Sequence, residues 1–213
     1  MLRPGFFLRR GMRVGLFGGS FNPAHEGHAH VAETARRRLR LDRVIWLVSP
    51  QNPLKPAHET TGLAQRLAAT RRLARGKAMT VSDAETRIGS QYTIDTLRAL
   101  KARFPGVDFV WIMGADSLAS FHRWRGWTQI LRETPVAVVA RPWIALKSRF
   151  SPAAQRFSNA RRPARQAALL PAGPSPRWVF LSAPLNFQSS TALRARAAGA
   201  RAQTPRQGGL TKA

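Results

Sequence analysis

Within eleven residues the chain gathers Gly18-Gly19-Ser20-Phe21-Asn22-Pro23-Ala24-His25-Glu26-Gly27-His28. Paired glycines let an anion approach the backbone without a Cβ in the way, and loop amides can be aimed at it. Two imidazoles three residues apart add donors that are neutral or cationic near pH 7. A helix predicted to begin near His28 would point its positive dipole end and unpaired N–H groups at the same place. Together these residues suit a phosphate that is gaining negative charge. Other chemistries fit less well. The glycines match neither G-x-G-x-x-G nor G-x-x-x-x-G-K-[ST], so the dinucleotide and P-loop fingerprints both fail. His25, His28 and His30 could be read as zinc ligands, but H-E-x-H is one residue short of the helical metalloprotease spacing. No cysteine or well-placed carboxylate completes a four-ligand set, so no metal site is assigned. Plain structural histidines in a turn are the bland alternative, and the strand before and helix after weigh against it.

The elements that must hold this loop follow from periodicity. Val14 to Phe17 reads as a buried strand, and about His28 to Arg40 as a helix with Val31, Ala35 and Leu39 on one face. Val44 to Val48 is a continuous apolar run expected of a strand covered on both faces. The alternation continues with a helix at about Leu63–Arg75, a strand near Met79–Ser82 and a helix at about Ile94–Phe104. Strands are then predicted over Val107–Met113, Val136–Ala140 and Trp178–Leu181. Strands alternating with helices predict an α/β fold, a Rossmann-like doubly wound parallel sheet. In such a sheet ligands bind beyond the carboxyl ends of the strands, where the strand order reverses. Residues 1–11 precede the first strand and carry no motif, so they are expected to be a dispensable extension. The domain is expected over 12–200, with an Ala/Arg/Pro-rich insertion at 147–176 containing a helix around 152–170 and then a linker. Residues 201–213 read as a flexible tail.

Length and composition narrow the field. A chain of 213 residues with 44% hydrophobic content suggests one domain with a real core. The absence of cysteine excludes disulfides and thiolate chemistry. No apolar stretch approaches the roughly 18 residues of a membrane span, and MLRPGFFLRR lacks the h-region of a signal peptide. A cytoplasmic protein is expected. Lysine and arginine total 35 against 10 acids, a net charge of +25, and no acid follows Glu133. Such charge is the footprint of a polyanion partner, but it also suits compositional drift and substrates that are small phosphate anions. Specific nucleic-acid binding is not expected from it.

Gly18 to His28 resembles the (H/T)xGH signature of the nucleotidyltransferase superfamily, in the form seen in nicotinate or nicotinamide mononucleotide adenylyltransferases. Further similarity extends from about Met12 to Arg196. Gln188-Ser189-Ser190-Thr191-Ala192-Leu193-Arg194 is similar to I-S-S-T-x-x-R, Gln91 to Leu97 to the bacterial S-Y-T-x-x-T-L, and Met113 to Trp124 to G-x-D-S-L…F-x-x-W. The resemblance implies adenylyl transfer from ATP to nicotinate mononucleotide, giving nicotinate adenine dinucleotide and pyrophosphate, a step of NAD synthesis. It implies an ATP site of Gly18, Gly19, Ser20, Phe21, His25, His28, Asp116, Ser190, Thr191 and Arg194, with His25, His28 and Arg194 catalytic. Tyr92, Thr93 and Trp124 would hold the pyridine ring. Asn52 and Lys55 are further substrate contacts, in a turn that lacks the histidine of the family's P-P-H-[KR]. Mg²⁺ would arrive with ATP. A related enzyme using nicotinamide mononucleotide or another phosphate acceptor, and a nucleic-acid-binding protein reusing the fold, are the competing readings.

Overall fold

The computed structural model describes residues 4–50, 61–140 and 148–182. Among these residues there are seven strands: β1 (Arg13–Gly19), β2 (Arg43–Val48), β3 (Met79–Ser82), β4 (Asp108–Gly114), β5 (Val136–Ala140), β6 (Arg161–Arg162) and β7 (Trp178–Ser182). They form one sheet in the order β3-β2-β1-β4-β5-β7-β6, and every pairing is parallel. Parallel strands need crossovers, and the helices that make them cover both faces of the sheet. These are α1 (Glu26–Leu39), α2 (Leu63–Leu73), α3 (Ala84–Ile88), α4 (Thr93–Arg103), α5 (Ala115–Ser120), α6 (Trp127–Glu133) and α7 (Pro152–Arg156). Among the described residues, no helix is long and apolar enough to cross a membrane.

Strand alternation divides the core in two. Val14, Leu16, Ile45, Leu47, Phe109, Trp111 and Met113 face α3 to α7 on one side. Phe17, Val44, Trp46, Val110 and Ile112 face α1 and α2 on the other. Because both faces are buried, the strands read as continuous apolar runs in the sequence, with no polar alternation. The expected doubly wound sheet is therefore present. The chain lays β1, β2 and β3 outward in one direction, then returns to start β4 on the other side of β1. The strand order reverses between β1 and β4, and their register pairs Phe17 with Ile112. The loops leaving these two strands are therefore neighbours.

The structure corrects one expectation and bears on another. The first concerns 152–170, where a single helix was expected. The segment instead breaks into α7, 3-10 turns at Ser158–Ala160 and Ala164–Leu169, and the short edge strand β6 between them. Ala153, Ala154, Phe157 and Ala160 pack into one core, Ala167 and Leu170 into the other. A single straight helix cannot serve both faces of a sheet, so the chain wraps around the sheet edge. Pro163, lacking an N–H, helps end regular structure there.

The second point concerns residues 1–11, expected to be a dispensable extension. Residues 4–11 are fastened to the domain. Leu8 is buried in the first core, and the Phe6 ring stacks on Phe104 with centroids 5.7 Å apart. Ser82 Oγ donates to Pro4 O at 2.7 Å, and Gly11 N–H to Gly106 O at 2.7 Å. The expectation rests on an untethered terminus, whereas Leu8 is packed into the core. Deleting a buried leucine side chain costs about 2–5 kcal/mol. A chain starting at Met12 is accordingly expected to unfold at lower urea concentration than the full chain, and Leu8→Ala to reproduce most of that loss. Equal urea midpoints for the three proteins would show that residues 4–11 pack without stabilising.

Candidate active site

The loop after β1 is built by its own side chains. His25 is the N-cap of α1, in extended backbone conformation, and its Nδ1 accepts from Gly27 N–H at 3.1 Å. His28 reaches back, its Nδ1 accepting from His25 N–H at 3.2 Å. This is a reciprocal capping box made of two histidines, where serine or threonine and glutamate are usual. It also explains why α1 starts at Glu26, earlier than the sequence predicted. Each ring uses Nδ1 as an acceptor, so in the neutral imidazole the proton is on Nε2. The two rings lie 3.9 Å apart between centroids. His28 also meets the Phe21 ring edge-on at 5.1 Å.

Gly18 and Gly19 have a role that the sequence pattern does not signal. A Cβ on Gly18 would sit 2.2 Å from the Trp111 ring, and one on Gly19 would press on the Phe21 ring at 3.1 Å. Aromatic packing thus excludes a Cβ at Gly18 and crowds one at Gly19, whatever also approaches the backbone. Phe21 itself adopts φ 45°, the left-handed region that a bulky residue rarely occupies. Its ring is buried against Phe17 and Trp46. Among the described groups, none accepts a hydrogen bond from Phe21 N–H.

Asp116 stands in the first turn of α5, directly after β4, and is exposed. It therefore lies at the same sheet end as the histidine loop, on the other side of the order reversal. Tyr92 caps the start of α4 with its backbone, and Thr93 is the first helical residue. Ser90 Oγ bridges the Tyr92 backbone, accepting from its N–H and donating to its C=O, both at 3.1 Å. Trp124 is half-buried, meeting Phe121 edge-on at 5.3 Å and Trp111 at 6.3 Å. The next residue joins the two segments, since the Arg125 guanidinium lies 4.5 Å from the Tyr92 ring centroid. Gly126 (φ 65°) abuts Ile94, where a Cβ would be 3.2 Å from its side chain. The Tyr92–Thr93 and Trp124 segments are thus brought side by side. Asn52, Lys55, Ser190, Thr191 and Arg194 lie outside the described residues.

Three residues at or near this sheet end were missed from sequence. Arg125 is one. Arg66 is another, only 2% exposed on α2, with its guanidinium bonded to carbonyls of three loops. Its signal was positional, because Leu63, Arg66, Leu67 and Thr70 share the stripe that should be apolar. The third is Glu85 in α3, which is 5% exposed. Burial pushes its carboxyl up from 4.5 to about 7. By contrast, Arg36 and Arg37 beside Glu33 hold that carboxyl down at about 2.

The comparisons with known proteins bear on the family and the fold. Residues 16–196 match the model of the cytidylyltransferase-like family. The probable nicotinate-nucleotide adenylyltransferase of Caulobacter sp. (strain K31) is 74% identical over 185 residues, covering 87% of this chain and 98% of its own. A probable nicotinate-nucleotide adenylyltransferase of Methylorubrum extorquens is 54% identical, covering 87% of this chain and 100% of its own. Among solved structures, Plasmodium falciparum nicotinic acid mononucleotide adenylyltransferase complexed with NaAD has the same fold. Its TM-score is 0.64 at 15% identity, covering 86% of this chain and 83% of that one.

Glu85 yields a pH prediction. Its folded pKa lies above the unfolded value, so the folded state binds the extra proton and stability falls as pH rises from 4.5 through about 7. The difference amounts to roughly 3 kcal/mol at most. Glu33, Asp83 and Glu133, held below their ordinary values by arginines, act oppositely and only at lower pH. Urea unfolding of wild type and Glu85→Gln across this range should converge near pH 4.5 and diverge toward pH 8, with the variant the more stable. Parallel curves would mean that Glu85 stays ionised in the fold.

The chain belongs to the cytidylyltransferase-like family, and within its described relatives it groups with the nicotinate-nucleotide adenylyltransferases.

Proposed function

We propose that this chain transfers the adenylyl group of ATP to nicotinate mononucleotide, using the loop after β1 as its phosphate cradle. An oxygen of the mononucleotide 5′-phosphate attacks the α-phosphorus of ATP. The bond from that phosphorus to the oxygen bridging to the β-phosphate breaks, and pyrophosphate leaves with the electron pair. The nucleophile is already anionic at pH 7, so no side-chain base and no covalent intermediate are needed. What remains for the protein is positioning and charge stabilisation.

The observation that carries this reading is the pair of histidines in the capping box. With both Nδ1 atoms engaged by backbone N–H groups, each neutral ring is a donor through Nε2. Such donors are preorganised, because the helix start that holds them cannot turn without losing its caps. His25 and His28 donate to α- and β-phosphate oxygens, and the amides of Gly19, Ser20 and Phe21 complete the cradle beside Gly18. Asp116 lies by the nucleotide. Ser190, Thr191 and Arg194 hold the departing pyrophosphate, and Asn52 and Lys55 contact the acceptor. Magnesium enters as part of the ATP substrate, since that ion prefers phosphates and water to an all-protein cage.

The acceptor ring is read by Tyr92, Thr93 and Trp124. The start of α4 offers unpaired N–H groups and a positive dipole end to the nicotinate carboxylate. Arg125 adds a cation beside Tyr92. An amide in place of the carboxylate would turn its NH₂ donors toward these donors.

Two measurements test this. Pyrophosphate release with ATP should be at least about tenfold more efficient with nicotinate mononucleotide than with nicotinamide mononucleotide, since hydrogen bonds to a charged group contribute about 1.5–3 kcal/mol. Equal efficiency would sink the account of the α4 start while leaving adenylyl transfer intact. His28→Ala should lower kcat by about 100- to 1,000-fold with a smaller change in KM, the usual loss for one preorganised donor. Near-full kcat in that variant would remove the cradle from the reaction.

A further inference from the structure

Arg66 belongs to none of the motifs that the transfer reaction uses, yet it is the most deeply buried of the described arginines, 2% exposed. Its guanidinium makes four hydrogen bonds, all to backbone carbonyls. Nη1 donates to Ser20 O at 2.9 Å and to Ser49 O at 2.7 Å, Nη2 to Pro50 O at 2.8 Å, and Nε to Thr61 O at 2.8 Å. The acceptors come from the loop after β1, the loop after β2 and the approach to α2. Among the described residues no carboxylate pairs with it. Desolvation lowers its pKa, but a guanidinium stays charged in proteins.

We propose that Arg66 is a positioning residue for adenylyl transfer, holding the Ser20–Phe21 peptide so that Phe21 N–H is presented to the reacting phosphate. The inference rests on the loop after β1 being the phosphate cradle. In a trans peptide the C=O and the following N–H point in opposite directions. Fixing Ser20 O on Arg66 therefore fixes the direction of Phe21 N–H, which donates to no described group. A carbonyl bonded to a cation also polarises its own peptide, making the N–H a stronger donor. Phe21 needs such support. Its left-handed backbone (φ 45°) is costly for an aromatic residue and persists only where the surroundings over-determine it. Arg66 holds the peptide on one side of Phe21. On the other, Thr61 Oγ1 donates to Asn22 Oδ1 at 2.6 Å, and Thr61 O is itself held by Arg66. One side chain thus ties the loop after β1 both directly and through Thr61.

The fork matters as much as the charge. Lysine carries three donors on one atom and cannot reach acceptors on three separate loops in a plane. Full-length Arg66→Lys and Arg66→Ala are therefore both expected to lose kcat by about ten- to a hundredfold, the scale of a misplacement near 1 Å. KM for ATP should change far less. Millimolar guanidinium, well below denaturing concentrations, should restore part of kcat to Arg66→Ala, where it can occupy the vacated space, and none to Arg66→Lys. If the alanine variant does not fold, the lysine variant decides on its kcat alone. Wild-type kcat in Arg66→Lys, with only a lowered melting temperature, would overturn the positioning role. His28→Ala assayed alongside separates the two ideas. An impaired His28→Ala with an unimpaired Arg66→Lys refutes only Arg66, whereas an unimpaired His28→Ala refutes the cradle itself.

Discussion

A charged guanidinium removed from water must find acceptors, and without a carboxylate partner it must take them from the backbone. That constraint organises the carboxyl end of this sheet. Arg66 is satisfied only when Ser20, Ser49, Pro50 and Thr61 all offer their carbonyls together. Loops are ordinarily the most variable parts of an α/β fold. Here the loops after β1 and β2 cannot shift independently, because moving either strands a buried charge. A neutral acceptor set also leaves the positive charge uncancelled beside the loop where an anion would bind. A carboxylate in the same place would have satisfied the geometry and opposed the ligand.

Double use of one side chain recurs at the start of α1. A serine at position 25 would cap the helix as well as His25 does, and a glutamate at 28 would complete an ordinary capping box. Neither would leave a second donor nitrogen on the far side of the ring. Imidazole is the side chain that can accept from a helix amide through one atom and donate to a phosphate through another. The sheet decides where this happens. Order reversal between β1 and β4 places the loop from β1 and the first turn of α5 at one end of the sheet, where folds of this class bind ligands.

Much of this was legible in the sequence because buried parallel strands advertise themselves. Val44 to Val48 and Val136 to Ala140 allow little else, and the glycine-histidine loop stands out between a strand and a helix. Position within the loop was less legible. A helix beginning near His28 misplaced His25 outside it, since histidine is an uncommon N-cap and its reciprocal bond with His28 is a three-dimensional fact. The glycines were read for what they admit to the backbone, while the structure shows a Trp111 ring that excludes a Cβ at Gly18 and a Phe21 ring that crowds one at Gly19. Trp111 comes from β4, far along the chain from Gly18, so no local pattern signals it. Residues 152–170 misled for a different reason. Helix propensity of Ala and Arg is a local quantity, and the need to wrap a sheet edge is not.

The charge of the chain fits this division between local chemistry and distant field. Of the 10 acids set against 35 bases, four are already paired or buried. Glu33, Asp83 and Glu133 are committed to Arg36, Arg37, Arg87 and Arg98, and Glu85 is buried with a raised pKa. The remaining cations generate a positive potential over the surface. Such a potential raises the encounter rate of any polyanion, but it is screened within about 8–10 Å at ordinary ionic strength. It therefore cannot distinguish ATP from a nucleic-acid backbone. Discrimination has to come from groups whose geometry is fixed within hydrogen-bond reach of the ligand, where screening by salt is weakest. On the proposed reading the two capping histidines would be such groups, with Arg66 holding the loop that leads to them. Both rings are held by backbone N–H groups, so on that reading the short-range part of recognition would be built into the fold and the long-range part left to composition.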